Sequence, residues 1–363
     1  MEMHQLDKRL GRMLSELQTL AVISSLPVDG IECAPRDSQD FKPFENGGEW
    51  AQDTEWVDFR FTLTVPDSFK GQPTLLVRTG LEAEWEAVNP QFVVWVNGRI
   101  EQAFDTKHTA LVLPGAKPGA TYQIFLQGYA AKGDKKARPP RLLLTLADLD
   151  DNTMQLYYDL AMPWEAACLL PEGVRDREHT LQILSQALNL LDLREPHSEA
   201  YDQGVSRARS FMDHYYQERA RIEPESYADC VGHTHIDVAW LWDLHQTRHK
   251  AVRSFATVLK LMEMYPEYKF MSSQPVLYKF VKQDAPELYE RIKQRVKEGR
   301  WEVEGGMWLE ADCNLTSGES MVRQLLHGHE FFLKEFGKEI LVRALSLKSL
   351  LRLLTKQLRF THI

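Results

Sequence analysis

The chain has 363 residues, 44% of them hydrophobic, enough for two domains or one large domain with an appendage around a substantial core. Its 52 acidic residues outnumber 43 basic ones, and the formal charge of −9 argues against a general nucleic-acid-binding surface and suits neutral substrates such as sugars. The four cysteines, Cys33, Cys168, Cys230 and Cys313, stand far apart without a Cys-x-x-Cys pair, so neither a disulfide framework nor a thiolate zinc site is suggested and a reducing compartment is the natural inference.

Residues 1–40 read as a helical leader and connector. Charged positions such as Asp7, Lys8, Arg9 and Arg12 interrupt the apolar ones, so the continuous apolar core of a secretory signal is missing. No stretch approaches about eighteen uninterrupted apolar residues, which predicts no membrane span and a cytoplasmic location. A polar connector follows, containing Pro35, Pro43 and Gly47-Gly48. Residues 41–150 then read as a β-sandwich accessory domain. Val57, Phe59, Phe61, Leu63 and Val65 alternate with polar residues, the period of a strand with one buried face. Further strands are expected at 74–78, 92–96, 110–113, 121–126 and 141–146, with turns at Asn97-Gly98 and Pro114-Gly115. The run Trp95-Val96-Asn97-Gly98-Arg99 resembles a hairpin of sugar-binding jelly rolls, and a structural accessory role is the competing reading.

Residues 151–226 form a helical connector, with Leu181, Leu184, Leu188 and Leu191 at three- and four-residue steps. From residue 227 the pattern alternates strand and helix. A strand at 227–231 precedes Gly232-His233-Thr234-His235-Ile236-Asp237, then comes an amphipathic helix through Ala251, Phe255, Leu259 and Met262. A strand at 269–272 follows. Asp284 with Glu287 and Pro286 then announces a helix to about Glu298, and a strand is expected at 301–303. This order argues for parallel βαβ units with functional groups at the carboxyl ends of the strands.

On an extended strand His233, His235 and Asp237 would leave one face together. Imidazole and carboxylate are the usual donors of zinc sites that keep a position open, so the run reads as half of a metal site. Against this stand a satisfied core histidine and an Asp that only caps the next helix. From spacing alone a metal hydrolase unrelated to sugars remains a rival.

The run Gly232-His233-Thr234-His235-Ile236-Asp237-Val238-Ala239-Trp240-Leu241-Trp242 resembles the catalytic domain of the α-mannosidases of glycoside hydrolase family 38, in its cytosolic and bacterial branch. The resemblance continues through Ser272-Ser273-Gln274-Pro275 and Trp301-Glu302-Val303-Glu304-Gly305-Gly306-Met307-Trp308, with Glu310, Asp312 and Asn314, and covers about 228–339. It implies a seven-stranded β/α barrel, of which 227–339 would be the first part. It also implies one zinc ion and retaining hydrolysis of terminal α-mannosyl residues, with mannosides or mannose-containing oligosaccharides as partners and self-association left open. His235 and Asp237 match zinc ligands; His233, Trp240 and Asp312 are read as substrate-facing, and Glu304 and Glu310 as supporting the strand end.

The nucleophile and the acid/base belong to segments not matched here, so no catalytic residue is assigned. Where the family continues into a Trp-x-x-Asp-x-Phe-Gly type motif, residues 340–363 form an atypical basic Leu-rich tail with Arg343, Lys348, Arg352, Lys356 and Arg359 and no acidic residue. That break reads as a truncated product with replaced sequence, inactive in hydrolysis; a basic amphipathic helix is the competing reading. His327 and His329, two apart on a helix, point to different sides and read as a solvated face. Two alternatives to the mannosidase are a non-catalytic carbohydrate-binding or interaction fragment and another His/Asp metal hydrolase such as a deacetylase.

Overall fold

The computed structural model describes residues 3–51, 55–82, 90–130, 139–223, 229–312 and 314–340. The tail expected from 341 onward lies outside the described residues, as do 227 and 228; residues 229–231 of the strand expected at 227–231 are described and form no regular strand, which starts only at Gly232.

Helix α1 (Met3–Leu20) opens the chain, followed by strands β1 (Val22–Pro27), β2 (Glu32–Pro35), β3 (Lys42–Pro43), β4 (Trp56–Thr64) and β5 (Gln72–Arg78). Next come β6 (Gln91–Val96), β7 (Arg99–Phe104), β8 (Ala110–Val112), β9 (Thr121–Tyr129) and β10 (Leu143–Leu149). They form two antiparallel sheets, in the orders β3-β2-β4-β9-β6-β7 and β1-β10-β5-β8. The alternation in β4 and β9 turns Phe59, Phe61, Leu63, Ile124 and Leu126 inward, where they meet Leu75, Val77, Leu111, Leu144 and Leu146 of the other sheet. Asn97 and Gly98, both at positive φ, make the tight turn between β6 and β7.

The alternating strands stand within a few residues of expectation, whereas β1 and β2 arise where a helical leader and polar connector were read. β1 carries little apolar pattern of its own and is held by backbone pairing from Pro27 opposite Thr145 to Val22 opposite Leu149. Its α1 neighbour does not float on the surface. Leu6, Leu10, Leu14 and Leu17, at helical spacing, pack with α2 (Asp151–Cys168), α3 (Arg175–Leu188) and α4 (Glu199–Ala220) in one helical core.

The last part holds β11 (Gly232–His233), α5 (Leu244–Met264), β12 (Phe270–Ser272), α6 (Pro275–Asp284), α7 (Pro286–Lys297), β13 (Trp301–Val303) and α8 (Gly318–Phe336). The strands form a parallel sheet in sequence order, Gly232 opposite Phe270 and Phe270 opposite Trp301. The architecture is therefore mixed α and β with three sheets. Phe255, Phe270, Tyr278, Trp301 and Phe332 build the core beneath the sheet, with ring contacts such as Phe270 to Trp301 at 4.7 Å. Asp284, expected to cap a helix, ends α6 instead; its carboxylate accepts from Arg248, and α7 starts at Pro286 without a side-chain cap. Val93 and Ile100, on the outer face of the six-stranded sheet, share the core of α5, so the sandwich and the parallel sheet are fastened together.

Candidate functional site at the strand ends

The carboxyl ends of β11, β12 and β13 open into three loops that a single buried side chain ties together. Gln274, at φ 61°, donates from Nε2 to the Ile236 carbonyl at 2.9 Å, and its Oε1 accepts from the Glu310 N–H at 3.2 Å. Beneath it, Trp301 Nε1 donates to Tyr278 Oη at 2.8 Å, and that hydroxyl donates to the Ser272 carbonyl at 2.9 Å. The polar groups of the loops are thus satisfied where burial would otherwise penalise them. At the first strand, Gly232 is required by close approach, since a Cβ there would lie 2.1 Å from Tyr268 Oη.

On this frame His235 Nε2 lies 2.8 Å from Asp237 Oδ1, while its Nδ1 faces Glu310 Oε2 at 3.2 Å. The Ser273 hydroxyl donates to the other Glu310 oxygen at 2.8 Å. The contact with Glu310 foremost, and that with Asp237, raise the His235 pKa to about 9 against the opposing effect of burial. Burial would push the Glu310 carboxyl up, but the hydrogen bonds from His235 and Ser273 outweigh it and hold it below its ordinary value. At neutral pH the group is an imidazolium between two carboxylates.

The regular strand ends at His233, so the expected one-sided row does not extend through all three residues. His233 donates from Nδ1 to the Met271 carbonyl at 2.9 Å, outside the hydrogen bonds that join His235, Asp237 and Glu310. Asp237 does not cap α5; Asp243 does, accepting from the Gln246 N–H at 2.8 Å. Trp240 is exposed and meets Trp242 edge to face with centroids 5.5 Å apart, while Trp242 Nε1 donates to the Asp237 carbonyl. Asp312 lies on the loop after β13, where its Oδ1 accepts from the Asn314 N–H at 2.8 Å. His327 and His329 are exposed on α8.

Glu310 was expected to brace the strand end, and its grip on His235 Nδ1 is the feature that residue spacing could not reach. Ser273-Gln274 and Glu310 itself, both within the resemblance, were its sequence signals. Among the described residues no group of three or more His, Cys, Asp or Glu is arranged to hold a metal ion. The pair His235 and Asp237 still fits part of such a site: nitrogen and oxygen donors stand side by side, half-exposed, and Glu310 on Nδ1 would leave Nε2 to a cation.

Residues 227–345 match the domain described as the glycosyl hydrolases family 38 N-terminal domain. The similarity to family 38 lies in this segment. Along nearly the whole chain the similarity extends to α-mannosidase G of Dictyostelium discoideum, 27% identical over 91% of this chain and 31% of that protein. α-Mannosidase 2C1 of Homo sapiens is 31% identical over 90% of this chain and 32% of its own length, and the α-mannosidase of Saccharomyces cerevisiae is 29% identical over 83% and 28%. The chain spans about a third of the length of these curated relatives. A β-glucuronidase structure from Ruminococcus gnavus covers 35% of this chain and 29% of its own at 11% identity and a TM-score of 0.25, too slight a likeness to argue from. Among the described residues no helix is long and apolar enough to cross a membrane.

Proposed function

We propose that the family 38 domain serves the hydrolysis of terminal α-linked mannose, with configuration retained, and that its three parallel strands open a seven-stranded β/α barrel. The observation that carries the reading is the His235–Asp237 pair at 2.8 Å, at the carboxyl ends of parallel strands, in a chain whose curated relatives are α-mannosidases. His235 Nε2 and Asp237 Oδ1 would hold a zinc ion. When bound, zinc supplies a grip on neighbouring sugar hydroxyls.

The remaining roles belong to the chain's own side chains. Glu310 keeps the proton of His235 on Nδ1 and fixes the plane of the ring. Trp240 offers an apolar wall to the C–H face of a sugar. His233, its Nδ1–H committed to Met271, turns its Nε2 to substrate hydroxyls, and Asp312, oriented by Asn314, adds an acceptor. Two protein donors are fewer than the three or four that usually hold zinc, so we expect weak binding and little hydrolysis from this chain alone. Retention needs two carboxylates about 5 Å apart, and we assign neither here. A cytoplasmic location belongs to the same reading, supported by the widely spaced cysteines.

The test is binding rather than turnover. Zinc titrated calorimetrically into the purified chain, followed by methyl α-mannoside and its C2 epimer methyl α-glucoside, should give a zinc-dependent preference for the mannoside. His235→Ala should abolish both zinc uptake and that preference. Equal binding of the two epimers, or zinc-dependent release of acetate from N-acetylated sugars, would overturn the assignment.

A further inference from the structure

Part of the outer face of the six-stranded sheet is covered by α5 and its neighbours. Val93 and Ile100, near the β7 edge, lie under α5 and its neighbours. Beside them, over β2, β4 and β9, opens a cavity of about 550 Å3. That volume falls within the roughly 300–1,000 Å3 of small-molecule sites. Strand register decides what faces it. Glu32 stands opposite Arg60, Arg60 opposite Phe125, and Phe125 opposite Trp95, so four side chains cross four neighbouring strands in one row. At about 4.8 Å per strand the row is about 14 Å long, room for more than one sugar ring.

We propose that this row is a binding site for a neutral oligosaccharide, separate from the His235 site and independent of metal. Two features select that ligand. First, Phe125 and Trp95 supply aromatic surface for the apolar faces of pyranose rings, beside the Arg60 guanidinium, which donates hydrogen bonds, and the Gln123 amide and Thr62 hydroxyl, which both donate and accept. A hydroxyl-rich ligand uses both kinds, whereas a cation would need acceptors alone. Second, the row is pre-organised and carries no surplus positive charge. Arg60 Nε donates to Glu32 Oε2 at 2.7 Å and its guanidinium lies 4.1 Å from the centre of the Phe41 ring, while Asp29 leaves the lining net negative. Uronates and sugar phosphates are thereby disfavoured.

The test uses the full chain with EDTA present, so that the metal site is silent. α-Mannotriose, maltotriose and cellotriose are titrated by calorimetry, with choline and glucuronate as charged comparators. Binding of at least one trisaccharide is expected, weakened tenfold or more in both Arg60→Ala and Phe125→Ala and unchanged in His235→Ala. Thermal melting of each variant checks that it folds. Failure of all three trisaccharides to bind at millimolar concentration, binding untouched by the Arg60 and Phe125 substitutions, or preference for choline or glucuronate would overturn the proposal. None of these results bears on the zinc-dependent mannoside binding of the other site.

Discussion

His235 carries the most perturbed charge near the strand ends, and its sign fixes a measurable pH dependence. Its pKa in the folded chain is raised to about 9, so the metal-free protein gains stability from the imidazolium that is fully present below the usual histidine value of about 6.5. That contribution is lost as pH rises through about 9. Melting temperature of the EDTA-treated chain should therefore fall between pH 7 and pH 9.5, and His235→Ala should flatten that limb. Zinc must displace the Nε2 proton, so its affinity should rise over the same interval. Gln274 gives a second expectation at this scale. Replacing it by Ala would leave the Ile236 carbonyl and the Glu310 N–H without their partner, and urea unfolding should report a loss of about 2 kcal/mol. The His235–Asp237 pair was legible in the sequence because two residues of separation bring it together locally. Glu310 reaches His235 only after the sheet has formed, and no periodicity encodes that distance.

At the level of elements, what packs by apolar alternation was readable and what packs by charge was not. β4 and β9 announce themselves through Phe59, Phe61, Ile124 and Leu126. β7 was missed because its buried positions include Glu101 and Gln102: Glu101 sits between Arg99 at 3.4 Å and Lys260 of α5 at 4.0 Å, and Gln102 donates to the Ala110 carbonyl at 2.7 Å. The junction of the sandwich with α5 holds a further buried polar group. His249 lies against Trp56, with Arg36, Arg253, His245 and Lys250 around it, and among the described residues neither ring nitrogen has a hydrogen-bond partner. Burial first, then these cations, push its pKa well below the ordinary value. The folded chain therefore binds fewer protons than the unfolded one as pH falls below about 6.5, and stability declines on that side. His249→Leu, which sacrifices no hydrogen bond, should reduce the drop in melting temperature between pH 7 and pH 5 without lowering its value at pH 7.

For the molecule as a whole, the uncovered surfaces matter most. Val322, Leu326 and Leu333 lie on one face of α8 and are exposed, as is Leu315 just before it, a grouping of apolar side chains that water penalises. Self-association through this face is the expected outcome, with light scattering showing a mass that grows with concentration. Leu326→Glu should return it to that of one chain while leaving the melting temperature within a degree or two. The order of sandwich, helices and parallel βαβ units was visible in the sequence because each has its own period. The union of α1 with α2, α3 and α4 was not, since the leucines of α1 report an apolar face but not what covers it.

At Gly328 α8 lies directly against backbone: a Cβ there would stand 1.9 Å from the Gly306 carbonyl oxygen. The same helix accepts the Trp308 N–H at the Gln324 carbonyl and the Leu309 N–H at Gln324 Oε1, so 306–309 is laced to it up to the residue before Glu310. A single methyl on the hidden side of the domain would act as a wedge, lifting that lacing and drawing the Glu310 carboxylate off the imidazole it steadies. In Gly328→Ala the His235 resonance, followed by NMR titration, should drift back toward an ordinary histidine midpoint although nothing within its own loop has changed.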